Sequence, residues 1–237
     1  MAAKKKPVSE PNLDAPRVIQ PNMFYGFNLD EEQLAFANAI WSKDKDIIFC
    51  NAKSGCGKTT IATGVANMLV QYGFYDGIVY IMAPYGEKTQ GYLPGTITEK
   101  SSVYFEAFYQ ALVNCDINPN TAINTESMVN QKNGTGFITC ITDTYLRGTN
   151  LDNAVVIIDE AQNYTVAQLK KTLTRVGSKA KVIVIGHDLQ CDISNPELSG
   201  FTKYVKHFEN EERAAVCCLT NNYRGWVSRH ADELKEE

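Results

Sequence analysis

None of the seven cysteines is spaced Cys-x-x-Cys, and three histidines leave little with which to build a zinc site. The cysteine count is odd, and positions 50, 56, 115, 140, 191, 217 and 218 show no framework spacing. That argues against a disulfide-stapled secreted domain and for a reducing, cytoplasmic setting. Apolar runs are short, Ala154–Ile158 among the longest, so no segment reads as a bilayer span and no membrane partner is expected. The triplet Lys4–Lys6 lacks the apolar stretch that follows it in a signal peptide. A surplus of positive charge is missing too. The net charge is −4, so composition implies no broad basic face and counts against a protein that simply coats DNA. Any grip on a strand must come from a local groove or from loops of several chains. Internal repeats and heptads are absent. So is a guanine-reading Asn-Lys-x-Asp, since Asn130-Gln131-Lys132-Asn133 lacks its order and its acid.

What is present suits one folded unit. Hydrophobic residues make up 44% and charged residues 21% of 237, enough apolar surface for a sizeable core. Residues 1–28 carry four prolines and read as a tail or strap ahead of a domain over 29–237. Helical spacing predicts helices over Leu29–Trp41, Lys58–Tyr72, Ser101–Cys115, Val166–Val176 and Trp226–Glu236. Short apolar runs predict strands at Asp46–Asn51, Gly77–Ala83, Phe137–Ile141, Ala154–Asp159, Lys181–Gly186 and Ala214–Leu219. The polar stretch Asp116–Thr135 reads as a loop or irregular insertion. Strands alternating with helices predict a mainly parallel sheet covered on both faces, an α/β domain of the RecA-like P-loop type. Sites in such folds lie at the carboxyl ends of strands.

Four motifs fall at those ends. Ala52-Lys53-Ser54-Gly55-Cys56-Gly57-Lys58-Thr59 follows a strand and opens a helix. Its glycines let backbone N–H groups approach phosphates, and the helix N-terminus adds partial positive charge. Residues Lys53 to Thr60 form the phosphate-binding set, with Lys58 on the β- and γ-phosphates and the Thr59 hydroxyl on Mg²⁺. Val155–Ile158 then delivers Asp159 and Glu160 to a strand end. Asp159 suits the metal, and Glu160 suits orienting or deprotonating the attacking water. After the next strand, Gln190, or alternatively His187, is placed to sense the γ-phosphate, although a turn or helix cap explains both equally. After the last strand, Asn222-Tyr223-Arg224 supplies an arginine that can donate to a γ-phosphate, in cis or across an interface, with a surface salt bridge as the alternative. Gln33, near the start of the domain, offers an amide that matches adenine N6 and N7, beside the default of a solvated helix residue.

Together these residues resemble the PhoH-like family of P-loop ATPases related to superfamily 1 helicases, over about residues 29–228. Gly86-Glu87-Lys88 with Gly91-Tyr92-Leu93-Pro94-Gly95, Tyr145-Leu146-Arg147-Gly148, Ile158–Asn163 and Gly186–Asp192 are similar to that family's stretches. There are departures: Ala52 for a glycine, Thr149 for a second arginine, His187 for an aspartate. Asn222-Tyr223-Arg224 is closer to the helicase motif. The resemblance implies ATP with Mg²⁺, an adenine-reading role for Gln33, assembly into a hexameric ring, and action on single-stranded RNA. It also implies an interface arginine, with Arg147 and Arg224 both candidates.

Two functions remain open from these residues. One is ATP hydrolysis coupled to a nucleic-acid strand, with Pro84-Tyr85 offering a stacking surface, although buried packing explains Tyr85 equally. The other is a nucleotide-dependent switch of protein assembly, with slow hydrolysis and no track. Turnover measured with and without RNA separates them.

Overall fold

An unbroken apolar run can lie in a strand only if both faces of that strand are covered. Ile47–Cys50, Val155–Ile158 and Val182–Ile185 are three such runs, and all are buried. The computed structural model describes residues 14–83, 105–124, 136–143, 146, 151–193 and 195–232. Its strands are β1 (Ile47–Ala52), β2 (Gly77–Met82), β3 (Ile138–Thr142), β4 (Ala154–Asp159), β5 (Lys181–Gly186) and β6 (Ala214–Leu219). They form one six-stranded sheet in the order β3-β2-β4-β5-β1-β6, parallel at every pairing. The expected parallel α/β architecture is therefore what the chain adopts.

The helices are α1 (Glu31–Trp41), α2 (Lys58–Gln71), α3 (Glu106–Asn114), α4 (Pro119–Ala122), α5 (Val166–Leu173), α6 (Phe201–Phe208) and α7 (Trp226–Asp232). Two cores lie on opposite faces of the sheet. One joins Phe36 and Ile40 of α1, Val65 and Leu69 of α2, and Phe108 and Leu112 of α3 to Ile48, Tyr80 and Ile157. The other joins Leu169 of α5 and Phe201 of α6 to Phe49, Val156 and Val184.

Local signals explain the helix starts. Asp30 and Gln33 form a capping box on α1, and Thr165 with Gln168 forms one on α5. Pro119 occupies the first turn of α4 behind an Asn118 cap, so the stretch read as irregular contains a helical turn. Residues 125–135 of that stretch, 101–104 of the third expected helix and 233–236 of the last lie outside the described residues. The helix α6 was not expected. It is short, yet Phe201, Tyr204, Val205 and Phe208 all face the second core. Val166–Val176 ends three residues early as a helix, at Leu173.

Residues 15–29 lie along α1 and α2. Ile19 and Phe24 are both 1% exposed. Asn38 exchanges hydrogen bonds with the Ile19 backbone at 2.8 and 3.1 Å. The Tyr25 hydroxyl donates to the Gly64 carbonyl at 3.2 Å and accepts from Asn67 at 2.8 Å. Gly64 is what admits this segment: a Cβ there would sit 2.5 Å from Cζ of Phe24. Gly64→Ala should cost about 1–3 kcal/mol in urea unfolding. Phe24→Ala in the same chain should remove most of that added penalty, a coupling that additive costs would contradict.

Candidate functional site: a phosphate cradle facing an acid pair

One strand, β5, separates β1 from β4. At about 4.8 Å per strand, the ends of β1 and β4 stand about 9–10 Å apart, a gap that side chains must span. The chain leaves β1 at Ala52 and turns through Gly55 and Gly57, whose φ values of 74° and 83° lie in the left-handed region. Gly57 is the N-cap of α2 and no side chain caps the helix, so its first N–H groups remain for an anion. Ala52, where the resemblance places a glycine, is simply the buried last residue of the strand.

Thr59 on the first turn of α2 closes the gap. Its hydroxyl donates to Oδ2 of Asp159 at 2.9 Å. Lys58 Nζ lies 3.7 Å from Oε1 of Glu160. Thr60 follows on the same turn, packed where Cys115 Sγ meets its carbonyl at 3.5 Å. The P-loop residues and both acids thus converge, as their motifs require.

Burial raises the Asp159 carboxyl above the ordinary carboxylate range, and the Glu160 charge adds to this. Lys58, the Tyr80 hydroxyl and the Glu160 N–H pull the other way. Burial acts to lower the Lys58 ammonium, but Glu160 and then Asp159 outweigh it and hold it above the usual lysine range. Two carboxylates against one ammonium leave the cluster net negative. Together with the hard oxygen donors of Thr59 and Asp159, that fits a Mg²⁺ ion whose other ligands are phosphates and waters. Among the described residues no group of three or more His, Cys, Asp or Glu side chains is arranged to hold a metal ion.

Glu160 adopts φ 50°, a left-handed backbone that costs a non-glycine residue about 1–3 kcal/mol. Gln162 holds its side chain there. Its Nε2 donates to Oε2 of Glu160 at 2.6 Å and to the Gln190 carbonyl at 3.1 Å. Its Oε1 accepts from the His187 N–H at 3.0 Å. The sequence motif contains Gln162 without revealing a role for it; its work is to tie the acid motif to the turn after β5. In that turn the Gln190 side chain is exposed, and Asn163 and Asp192 exchange bonds at 2.8 and 3.2 Å. His187 is buried, and its Nδ1 has no protein partner. An unfilled buried polar atom is costly, so a water or ligand atom is expected there.

The segment after β6 folds over the loop. Tyr223 N–H donates to the Gly55 carbonyl at 2.9 Å, and Arg224 Nη1 donates to Ser54 Oγ at 3.0 Å. A Cβ on Gly55 would lie 2.5 Å from Oδ1 of Asn222. The same segment is fastened to the start of α1: Thr220 donates twice to Glu32 at 2.6 and 2.7 Å, and Asn221 and Tyr223 both donate to Asp30. Gln33 bridges α1 to the loop, donating to the Cys56 carbonyl at 3.0 Å. Lys53 N–H donates to the Leu219 carbonyl at 3.0 Å. Arg147, Pro84-Tyr85 and the stretch Gly86–Gly95 lie outside the described residues, as do Tyr145, Gly148 and Thr149.

The family model described as PhoH-like protein matches residues 28–231. The chain is 35% identical to Protein PhoH of Escherichia coli (strain K12) over 190 residues, 79% of this chain and 51% of that protein. It is 34% identical to the PhoH-like protein of Synechocystis sp. over 176 residues, 73% of this chain and 51% of that one. The chain spans about half the length of the curated relatives it matches. In fold it is similar to the large terminase of a thermophilic bacteriophage, solved in complex with ADP. The TM-score is 0.54 at 15% identity, over 87% of this chain and 50% of that one.

Cys56 contributes to the cradle through its backbone. Its thiol is buried and donates to the Lys53 carbonyl at 2.8 Å, and burial pushes its pKa above the ordinary thiol range. In the native protein at about pH 8, a thiol reagent should therefore modify the exposed Cys218 while Cys56 stays intact until unfolding. Peptide mass spectrometry reads this directly, and equal labelling of the two would contradict the inward placement.

Proposed function

The chain belongs to the PhoH-like protein family, and from that premise we propose that it is a Mg²⁺-dependent ATPase whose hydrolysis is coupled to single-stranded RNA in a hexameric ring. The observation that carries the ATPase reading is the convergence across β5: Thr59 on Asp159 at 2.9 Å and Lys58 beside Glu160 at 3.7 Å.

The residues divide the work. Gly55, Gly57 and the open N-terminus of α2 present N–H groups to the phosphates, with Lys53, Ser54, Cys56 and Thr60 completing the loop. Lys58 neutralises charge on the transferred phosphoryl group. Thr59 and Asp159 would hold the Mg²⁺, which supplies positive charge to the β- and γ-phosphate oxygens. Glu160, only partly buried and anchored by Gln162, orients the water and accepts its proton.

Gln33 supports ATP over other nucleotides. A glutamine amide has two N–H donors and two acceptor lone pairs. Gln33 spends one donor on Cys56 and one lone pair on the Asp30 N–H at 3.2 Å. One of each remains, the pair needed to meet N6 and N7 of adenine. Arg224 already reaches the loop of its own chain through Ser54, which supports a role in cis. Arg147 is then the candidate that enters a neighbouring site. Gln190 and His187 follow β5, the strand between those of the cradle and the acids, and are the candidates for a γ-phosphate sensor.

All seven cysteines are unpaired, which suits the reducing cytoplasm. No helix among the described residues is long and apolar enough to cross a membrane.

Lys58→Ala should lose both ATP affinity and turnover. Glu160→Gln should keep ATP binding and slow turnover by about 10²–10⁴-fold. Phosphate-release assays with a fluorescent-nucleotide titration check both; loss of binding in Glu160→Gln would move Glu160 from catalysis to structure. Turnover titrated with single-stranded RNA and DNA, with mass measured in parallel, tests the coupling. Slow, unstimulated hydrolysis would replace the track with a nucleotide-dependent assembly switch.

A further inference from the structure

Asp159 is fastened by more than the P-loop. Its Oδ1 accepts from the Glu160 N–H at 2.8 Å, and its Oδ2 accepts from the Thr59 hydroxyl at 2.9 Å. A third bond comes from β2: the Tyr80 hydroxyl donates to Oδ2 at 2.7 Å. Tyr80 belongs to no nucleotide motif. It is 1% exposed, midway along a strand where an aliphatic side chain would serve the core as well. A phenol buried at that depth is costly unless its hydroxyl is paired, and the Asp159 carboxylate is the partner it has.

The ring is also immobilised. It stacks on Phe108 of α3 with centroids 4.0 Å apart and planes 15° from parallel. Phe105 meets it edge-on at 6.0 Å and 75°. A tyrosine fixed on two sides places its oxygen without rotamer freedom, so the bond constrains the carboxylate and not the phenol. The Thr59 bond is weaker as a constraint, because that hydroxyl is itself asked to ligate the cation.

We infer that Tyr80 is a positioning residue: its hydroxyl, held by the aromatic stack of α3, locks the Asp159 carboxylate in the orientation that meets the metal–nucleotide complex. The inference rests on reading the site as a metal-dependent ATPase. Outer partners of a metal-binding carboxylate typically tune metal affinity by about 10–100-fold.

Tyr80→Phe keeps the ring and removes only the oxygen. The test is Mn²⁺ binding to the protein with a non-hydrolysable ATP analogue, read by the electron paramagnetic resonance of free Mn²⁺. Tyr80→Phe should weaken Mn²⁺ about 10-fold. Its affinity for the analogue in EDTA should match the wild type, and saturating metal should restore turnover. Phe108→Leu, which frees the ring but keeps the hydroxyl, should shift Mn²⁺ affinity in the same direction by less, and it decides the matter if Tyr80→Phe does not fold. Unchanged Mn²⁺ affinity, or an equal loss of analogue binding in EDTA, overturns the positioning role alone. Failure of the wild type to bind any metal–nucleotide would instead remove the functional reading beneath it.

Discussion

Everything in this site depends on keeping one carboxylate, Asp159, at the end of a fully buried strand. Asp159 is 2% exposed, and burial alone works against its charge. The fold answers with three donors, from Thr59, Tyr80 and the next N–H along, and with the Lys58 ammonium nearby. Those donors come from α2, β2 and the β4 turn, elements distant in sequence, so the carboxylate acts as the node that binds the helix of the phosphate cradle to the middle of the sheet. A cation entering with a nucleotide meets a cluster already short of positive charge, and would strengthen this node where it would weaken a neutral core.

The left-handed Glu160 is the counterpart of that arrangement. A residue continuing as strand would carry its side chain across the sheet face; the turn at φ 50° sends it back towards Lys58. Such strain persists only where the surroundings over-determine it. Here Gln162 grips the side chain, and its own carbonyl accepts from Ser199 Oγ at 2.8 Å and Cys191 Sγ at 3.2 Å. The backbone cost is offset by a network running from the acid to the turn after β5 and on to the start of α6.

How much of this was legible in the sequence follows from the range of each interaction. The inner strands were readable because burial on both faces leaves an unbroken run of Val and Ile, as in β4 and β5, whereas the edge strands β3 and β6 are only partly buried and carry a weaker signal. The P-loop and acids were readable because chemistry fixes their residue types and their places at strand ends. The helix α6 escaped because eight residues carry little more than two turns of periodicity, although Gly200 and the Phe201, Tyr204, Val205, Phe208 spacing mark it. Tyr80 reads from sequence only as a core strand residue. Its bond to Asp159 spans 79 positions, and nothing local distinguishes a packing tyrosine from a positioning one. Gln162 lies inside the acid motif, but its contact with Gln190, 28 residues on, exists only in three dimensions.

The start of α1 belongs to the site and not merely to its scaffold. Asp30 caps the helix through the Gln33 N–H at 2.7 Å, yet its other oxygen serves Asn221 and Tyr223. Glu32 takes both donors of Thr220. The segment so held presents Arg224 to Ser54 and packs Asn222 against Gly55, where even a methyl group would collide. Gln33 meanwhile touches the other side of the loop at Cys56. One helical turn therefore braces the phosphate loop from two sides, directly through Gln33 and indirectly through residues 220–224. Any displacement of the loop must be shared by the Gln33 amide and the Arg224 guanidinium. Those two groups are coupled through contiguous hydrogen bonds within a single chain, whatever neighbours it acquires.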